Sequence, residues 1–487
     1  MTKTILVTAG SLTLAVSAAV SAQSVMEGDV IIGERPVIEN HVDQADIDAG
    51  LLNFNDVFDA GDILFEARFN ALDGQDRPGS TGTGADRVPD EPAFTRVSAP
   101  DANSCASCHN DPKDGGNGDF SVNVFVLAQA LDPVTDSISG EFSNNRNTVG
   151  MHGAGAIEML AREMSDALIA IREEAAATAA DTGASQRREL VAKGVSFGYI
   201  TVQADGLVDP TEIEGVDWDL IIKPFHQKGA VVSLREFTNN AMNHHHGMQT
   251  TERFGENLDP DLDGMTNELT VGDVTATTIY QAALPVPTRV IPPEPERQQA
   301  IVRGAETFRT VGCDGCHRPN MVLQSRFYTE PNPYNPPGNA QVGDFDTFSF
   351  DMTTQIPGNN LRPLGDDAAL VSAFTDFKRH NLCDEEINHF CNEQVAQGTL
   401  AGFADPASFT VPNEPRPTEQ FLSRRLWDVG NSGPYGHVGD LTTITEAIDA
   451  HGGDGRASRD AFFAISSAGQ ADVIEFLKSL QIVDNRD

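Results

Sequence analysis

Two copies of Cys-x-x-Cys-His dominate the chemistry open to this chain: Cys105-Ala106-Ser107-Cys108-His109 and Cys313-Asp314-Gly315-Cys316-His317. Cysteines one helical turn apart can both reach the vinyl groups of one porphyrin, and the histidine that follows is placed to bind its iron. The spacing therefore predicts two covalent c-type haems, with His109 and His317 as the proximal ligands. Zinc sites rarely place a histidine directly after both cysteine pairs. Only six cysteines are present, and the remaining two, Cys383 and Cys391, flank Asp-Glu-Glu-Ile-Asn-His-Phe. In an oxidising compartment they are expected to form a short-loop disulfide.

Other residues could serve such a centre. Reductive cleavage of an O–O bond needs a group that moves a proton and a group that steadies the leaving oxygen. Glu158 is a candidate acid/base. Arg146 is a candidate cation, either at the leaving oxygen or on a haem propionate. A sixth ligand for the first iron could come from His245, within the run His244-His245-His246, from His152 or from Met151, unless that face is open. Asp259, Asp261 and Asp263 supply oxygens at positions 1, 3 and 5, with Gly264 at position 6, as in the first half of a calcium loop. Position 12 is Thr270 rather than Glu, so either Glu268 or Asn267 completes a variant site or the stretch is a plain acidic turn. Trp427, one of two tryptophans, either lies between a donor surface and a haem or packs in the core.

These residues must be held by helices. Ahead of the second motif, Gly304 and Phe308 share a helical face at i, i+4, and Gly61 and Phe65 repeat that spacing ahead of the first. Between Phe69 and Cys105 the chain is elaborated, with a glycine-rich stretch at 78–85. Ile157, Leu160, Met164, Leu168 and Ile171 predict a helix over 156–176, and the alternation Val195, Phe197, Tyr199, Thr201 predicts a small strand region. Five prolines between 284 and 296 read as a stiff linker. An amphipathic helix carrying Val473, Phe476, Leu477 and Leu480 ends the chain. The fold expected is mainly α: two cytochrome c-like haem domains, at 45–284 and 297–487, with a small β-containing insertion at about 185–275 and long loops.

Residues 1–22 read as a signal peptide: Lys3, an apolar stretch from Ile5 to Val20, and a small-residue end at Ala22. The expected mature chain of 465 residues (487 minus 22) is exported to the periplasm or an equivalent compartment, with no later membrane span. Against 33 Lys and Arg stand 72 Asp and Glu, a net charge of −39. That charge repels nucleic acid. It favours a basic small redox protein as partner, or simply solubility in a salty habitat.

The segments Ser104 to Asn110 with Gly115-Gly116, His245-His246-Gly247-Met248-Gln249, Asp261 to Gly264, Leu426-Trp427, Gly433-Pro434-Tyr435-Gly436-His437 and Ala450-His451-Gly452-Gly453 resemble the di-haem cytochrome c peroxidase superfamily, in its di-haem oxidoreductase branch. The resemblance implies that peroxide meets the N-terminal haem while the C-terminal haem takes electrons from a donor. It implies one calcium between the haems. It places the sixth ligand of the His317 haem at His451; should His451 not bind, His437 and His380 are the residues to test next. The peroxidases carry Met there, and imidazole lowers the potential relative to Met. The removable histidine that those enzymes place soon after the first motif is absent here, since no His occurs between His109 and His152. The expected activity is reduction of hydrogen peroxide. The alternatives are a di-haem electron carrier without turnover, and an oxygenase or partner-protein oxidase.

Overall fold

The computed structural model describes residues 34–75, 102–119, 121–124, 144–261, 263–391 and 420–483. The expected signal peptide and the glycine-rich stretch lie outside them. No helix among the described residues is long and apolar enough to cross a membrane.

Two crossed helix pairs organise the chain. The helix Phe54–Glu66 starts at an Asn53/Asp56 capping box and crosses Val271–Ala282, which has a capping box of its own at Thr270/Asp273. The helix Pro295–Thr310 has proline in its first turn and crosses the terminal helix Ser467–Lys478. Glycine makes each crossing close. A Cβ on Gly61 would stand 2.1 Å from the Ala276 carbonyl oxygen, and one on Gly304 would stand 1.9 Å from that of Asp472. One turn later each helix buries a phenylalanine, Phe65 or Phe308. The Gly-to-Phe spacing therefore marks two helix crossings of one design.

Between the pairs runs the helix Ala154–Thr182, longer than the 156–176 read from periodicity. Its apolar stripe continues through buried Ala175 and Ala179, and Gly183 stops it in the left-handed region at φ 65°. Gly153 opens it at φ 73°, where a Cβ would also meet the Trp427 ring at 2.4 Å. The strands Gln186–Ala192, Val195–Val202 and Val208–Asp209 then form a three-stranded antiparallel sheet. Its hairpin turns at Lys193-Gly194, both at positive φ as a tight two-residue turn requires.

The expectation of a mainly α fold needs correction. Ten α-helices among the described residues are joined by fourteen short strands in six small sheets, and most of the strands lie outside the 185–275 insertion. The stiff proline stretch carries a short strand of its own. Thr288–Arg289 pairs with Leu480–Gln481, because the prolines there cost no ladder bond that the strand needs.

Candidate functional site

Both Cys-x-x-Cys-His motifs fold alike. Cys105–Ser107 and Cys313–Gly315 are single 3₁₀ turns, and in each the histidine N–H donates to the carbonyl of the first cysteine at 3.0 Å. The helix crossings bring Phe65 to 6.3 Å from His109 and Phe308 to 6.5 Å from His317, ring centre to ring centre. All six motif residues line a single cavity of about 600 Å³. Burial holds both imidazoles neutral, pushing His109 and His317 down to about 4, with the charge of His451 adding to the effect on His317. Neutral imidazole is the ligating form.

Across the cavity from His317 stands His451, with the ring centres 6.4 Å apart. An imidazole–metal bond is about 2 Å, and the ligating nitrogen lies about 1.1 Å from its ring centre, so two imidazoles on one iron would stand about 6.2 Å apart. The ring spacing of the pair therefore matches that of two imidazoles on one iron. Both rings are oriented by backbone oxygens. His317 Nδ1 lies 3.0 Å from the Arg424 carbonyl and 3.3 Å from that of Phe374, and His451 Nδ1 lies 2.7 Å from that of Ala447. Such bonds set the tautomer that leaves Nε2 for metal. His451 follows the helix Ile444–Asp449, capped by Thr443 and Glu446.

The loop joined by the Cys383–Cys391 disulfide grips the turn after His451. Gly452 N–H donates to the Leu382 carbonyl at 3.0 Å, and Asp384 accepts from Gly453 N–H at 2.9 Å and from Arg456. The Arg456 guanidinium and three backbone N–H groups hold the Asp384 carboxyl far below its usual range. A Cβ on Gly452 would meet the Ile387 carbonyl at 2.5 Å. Phe390 of the same loop meets the His451 ring edge-on at 6.0 Å. Sequence reasoning found the disulfide and His451 separately, but not that one holds the other. His380 and His437 also line the cavity. His380 is taken up by Asp376 at 2.8 Å, which, with the nearby Cys316 sulfur, outweighs burial and pushes it up to about 10.

Around His109 the candidates separate. His245 lines the cavity, and its charge acts on His109. It is carried on the π-helical turn Met242–His246, which Gly247 ends at φ 72°. Turns of that kind gather at functional sites. The neighbouring His246 points to the Ala102 carbonyl at 2.8 Å and to the Cys105 sulfur at 3.4 Å. His152 does not line the cavity, since both its ring nitrogens face backbone oxygens, Pro285 at 3.0 Å and Asp114 at 3.2 Å. Met151 does line it, packed with Phe65, Tyr280 and Leu284.

Glu158 must be corrected as a catalytic candidate. It is fully buried away from the cavity, and its oxygens are taken by Arg162 at 2.9 Å, Asn332 at 2.8 Å, Leu234 N–H at 2.7 Å and Tyr328 at 3.3 Å. It is a structural counter-ion. Arg146 lies in the strand Asn144–Asn147, opposite Val122, and its side chain is outside the described residues. Trp427 packs against Gly153 in the main core. The insertion proves integral to the site, because Pro224–Lys228 and the turn bearing His245 both line the cavity.

Sequence reasoning missed the segment Arg424–Asp428, which touches His317 and lines the cavity that holds both motifs. The Arg424 guanidinium reaches Asn117 at 3.3 Å and Asp428 at 3.5 Å, while its carbonyl faces His317. Arg425 donates to the Gly150 carbonyl. Only their position beside Leu426-Trp427 hinted at them.

Asp259, Asp261 and Asp263 converge, with ligand atoms all within 4.8 Å of one another. Asp261 Oδ1 is buried without a hydrogen bond, and burial with its acidic neighbours pushes that carboxyl up to about 7. Glu268 lies behind them, pushed up to about 9 by burial, while accepting from Gln249 N–H at 2.6 Å. Asn267 bonds instead to Asn257. The donor set suits a hard divalent cation.

No family model matches this chain, and no curated protein does. Among solved structures, the chain is similar to hydrazine synthase of Kuenenia stuttgartiensis, in a crystal pressurised with xenon, at 14% identity over 94% of this chain and 98% of that one, with a TM-score of 0.39. It is also similar to a MauG-like protein associated with microbial copper homeostasis, at 17% identity over 58% of this chain and 76% of that one, with a TM-score of 0.26.

Proposed function

We propose that the chain is an exported di-haem c-type oxidoreductase that reduces hydrogen peroxide with electrons from a small redox protein. The observation that carries this reading is the 6.4 Å spacing of His317 and His451, beside a second attachment motif in the same cavity. Haem held there would supply one-electron redox chemistry and an iron coordination position.

The residues divide the work. Cys313, Cys316, His317 and His451 would hold one haem, which would supply electron transfer. Cys105, Cys108 and His109 hold the other. His245, the cavity imidazole whose charge reaches His109, is placed to give or take a proton or to act as a removable ligand. Reduction of peroxide to water takes two electrons and two protons, so such a proton carrier is required. The apolar wall of Met151, Phe65 and Phe237 keeps bulk water from that side. The net charge of −39 would steer a basic donor. Asp259, Asp261 and Asp263 would hold one calcium.

The test is turnover of peroxide by the haem-loaded protein with a reduced basic cytochrome as donor, alongside oxygen uptake. Peroxide-dependent oxidation of the donor supports the reading. No turnover with either oxidant identifies an electron carrier, and oxygen consumption with a new product identifies an oxygenase.

A further inference from the structure

Arg425 is an anomaly in the cavity wall. It is 8% exposed, its one hydrogen bond goes to a neutral carbonyl, and its Nε is buried with no partner. Among the described residues no carboxylate lies within ion-pairing distance of it. The single acid nearby, Asp428, is 3.5 Å from Arg424 instead. Two adjacent guanidinium groups thus face one carboxylate. Burying an unpaired cation is costly, and a chain with 72 acidic residues does not lack carboxylates to pair it. Burial and the Arg424 charge push Arg425 down to about 9, the mark of a cation short of a partner.

The position of the pair narrows what the partner can be. The Arg425 charge acts on His109, and both arginines line the cavity that holds the two attachment motifs. We propose that Arg425, with Arg424, forms a carboxylate-binding pair inside the cavity, occupied by a propionate of the haem attached at Cys105 and Cys108. A planar guanidinium fork matches a carboxylate in two hydrogen bonds, which a lysine could not reproduce. The inference rests on the di-haem reading above.

The pair has a directional consequence. A fixed cation beside the His109 haem favours the added electron there. Meanwhile the Arg424 carbonyl takes the Nδ1–H of His317, which makes that imidazole a stronger donor and disfavours reduction of the other haem. Two consecutive residues thus bias electrons from the His317 haem toward the His109 haem.

The test is potentiometric titration of the haem-loaded protein, wild type against Arg425→Gln and Arg425→Lys, following each haem by its own spectrum. A haemochrome assay first establishes two haems per chain, and finding none would overturn the di-haem reading along with this proposal. With two haems present, Arg425→Gln should lower the equilibrium constant for reducing the His109 haem roughly tenfold, or about 59 mV for a one-electron couple. The His317 haem should keep its low-spin spectrum, and Arg425→Lys should recover part of the shift. An unmoved His109 haem in both variants overturns the proposal. A free carboxylate is the other source of the same chemistry, so the wild type is also titrated with acetate. A saturable response of the His109 haem that Arg425→Gln abolishes would overturn the propionate as occupant, whereas no response supports it.

Discussion

Replacing His451 with alanine should open one haem and leave the other as it was. His317 and His451 are 6.4 Å apart, so an iron midway has about 3.2 Å to each ring centre. Without the imidazole, the distal face keeps a gap deep enough for water or an added small ligand. The surrounding frame should survive, because Asp384, Leu382 and the disulfide hold the backbone of Gly452 and Gly453 rather than the ring. The ferric spectrum of the variant should therefore lose one low-spin haem of the expected two and gain one high-spin signal. Added imidazole should restore the low-spin form, since only a ligand is missing. Electron paramagnetic resonance and absorption on oxidised protein read both. An unchanged low-spin signal in the variant would show that some other residue closes the iron, and the spacing argument would fall with it.

Glu158→Ala should destabilise the fold by about 3–5 kcal/mol, because it strands the buried Arg162, while the folded fraction keeps its turnover per haem; a denaturant titration and kinetics on the same sample check both. Gly61→Ala and Gly304→Ala should each cost about 1–3 kcal/mol or more through overpacking at the helix crossings, read as a lower unfolding midpoint. In metal-free protein, Asp261 and Glu268 hold protons in the folded state to about 7 and about 9. The unfolded chain releases them near 4, so stability should fall as pH rises across that window. Calcium should flatten the slope, and an identical pH profile of Tm with calcium and with chelator would remove the metal. The rate of oxidation of a basic donor should fall steeply with added salt, as stopped-flow mixing would show.

The Cys-x-x-Cys-His motifs stand out in the sequence because the pattern is local: five consecutive residues which, in the di-haem reading, would carry two thioether positions and a ligand. The Gly-to-Phe repeats were legible for a similar reason, since a close helix crossing needs a residue without a side chain. That Val271–Ala282 is the partner of the first crossing was not visible, because every position from Gly272 to Ala282 is buried, Thr275, Thr277 and Thr278 among them, so no apolar stripe marks one face. Glu158 was misread because acid and base candidates look the same in sequence whether they face a cavity or an arginine one turn away. The β content was underestimated because strands of two to four residues carry too little alternation to detect. Arg424 and Arg425 gave no local signal beyond their place beside Leu426-Trp427, since their meaning lies in what surrounds them after folding.

The two Cys-x-x-Cys-His units share a design, and in the proposed reading their differences would carry the function. Each has a helix crossed through a glycine, a phenylalanine one turn on, a 3₁₀ attachment turn and a buried neutral histidine. A pair of independent electron carriers would close both irons in the same way, in separate pockets. Here one cavity holds both motifs, and the cover over each histidine comes from a different source. His451 is followed by a turn that the disulfide loop holds by its backbone, and Phe390 of that loop packs against its ring. His245 sits in a π-helical turn that Gly247 ends, the kind of turn that gathers at functional sites. In the proposed reading, a clamped histidine would suit an iron that only exchanges electrons, and a histidine lining the cavity would suit an iron that must admit a substrate. The Arg424–Asp428 segment then ties the two, touching His317 through a carbonyl and the His109 side through a cation. On this geometry the substrate should meet the N-terminal haem, and variants at His245 should alter the response to peroxide while leaving the His317 spectrum untouched.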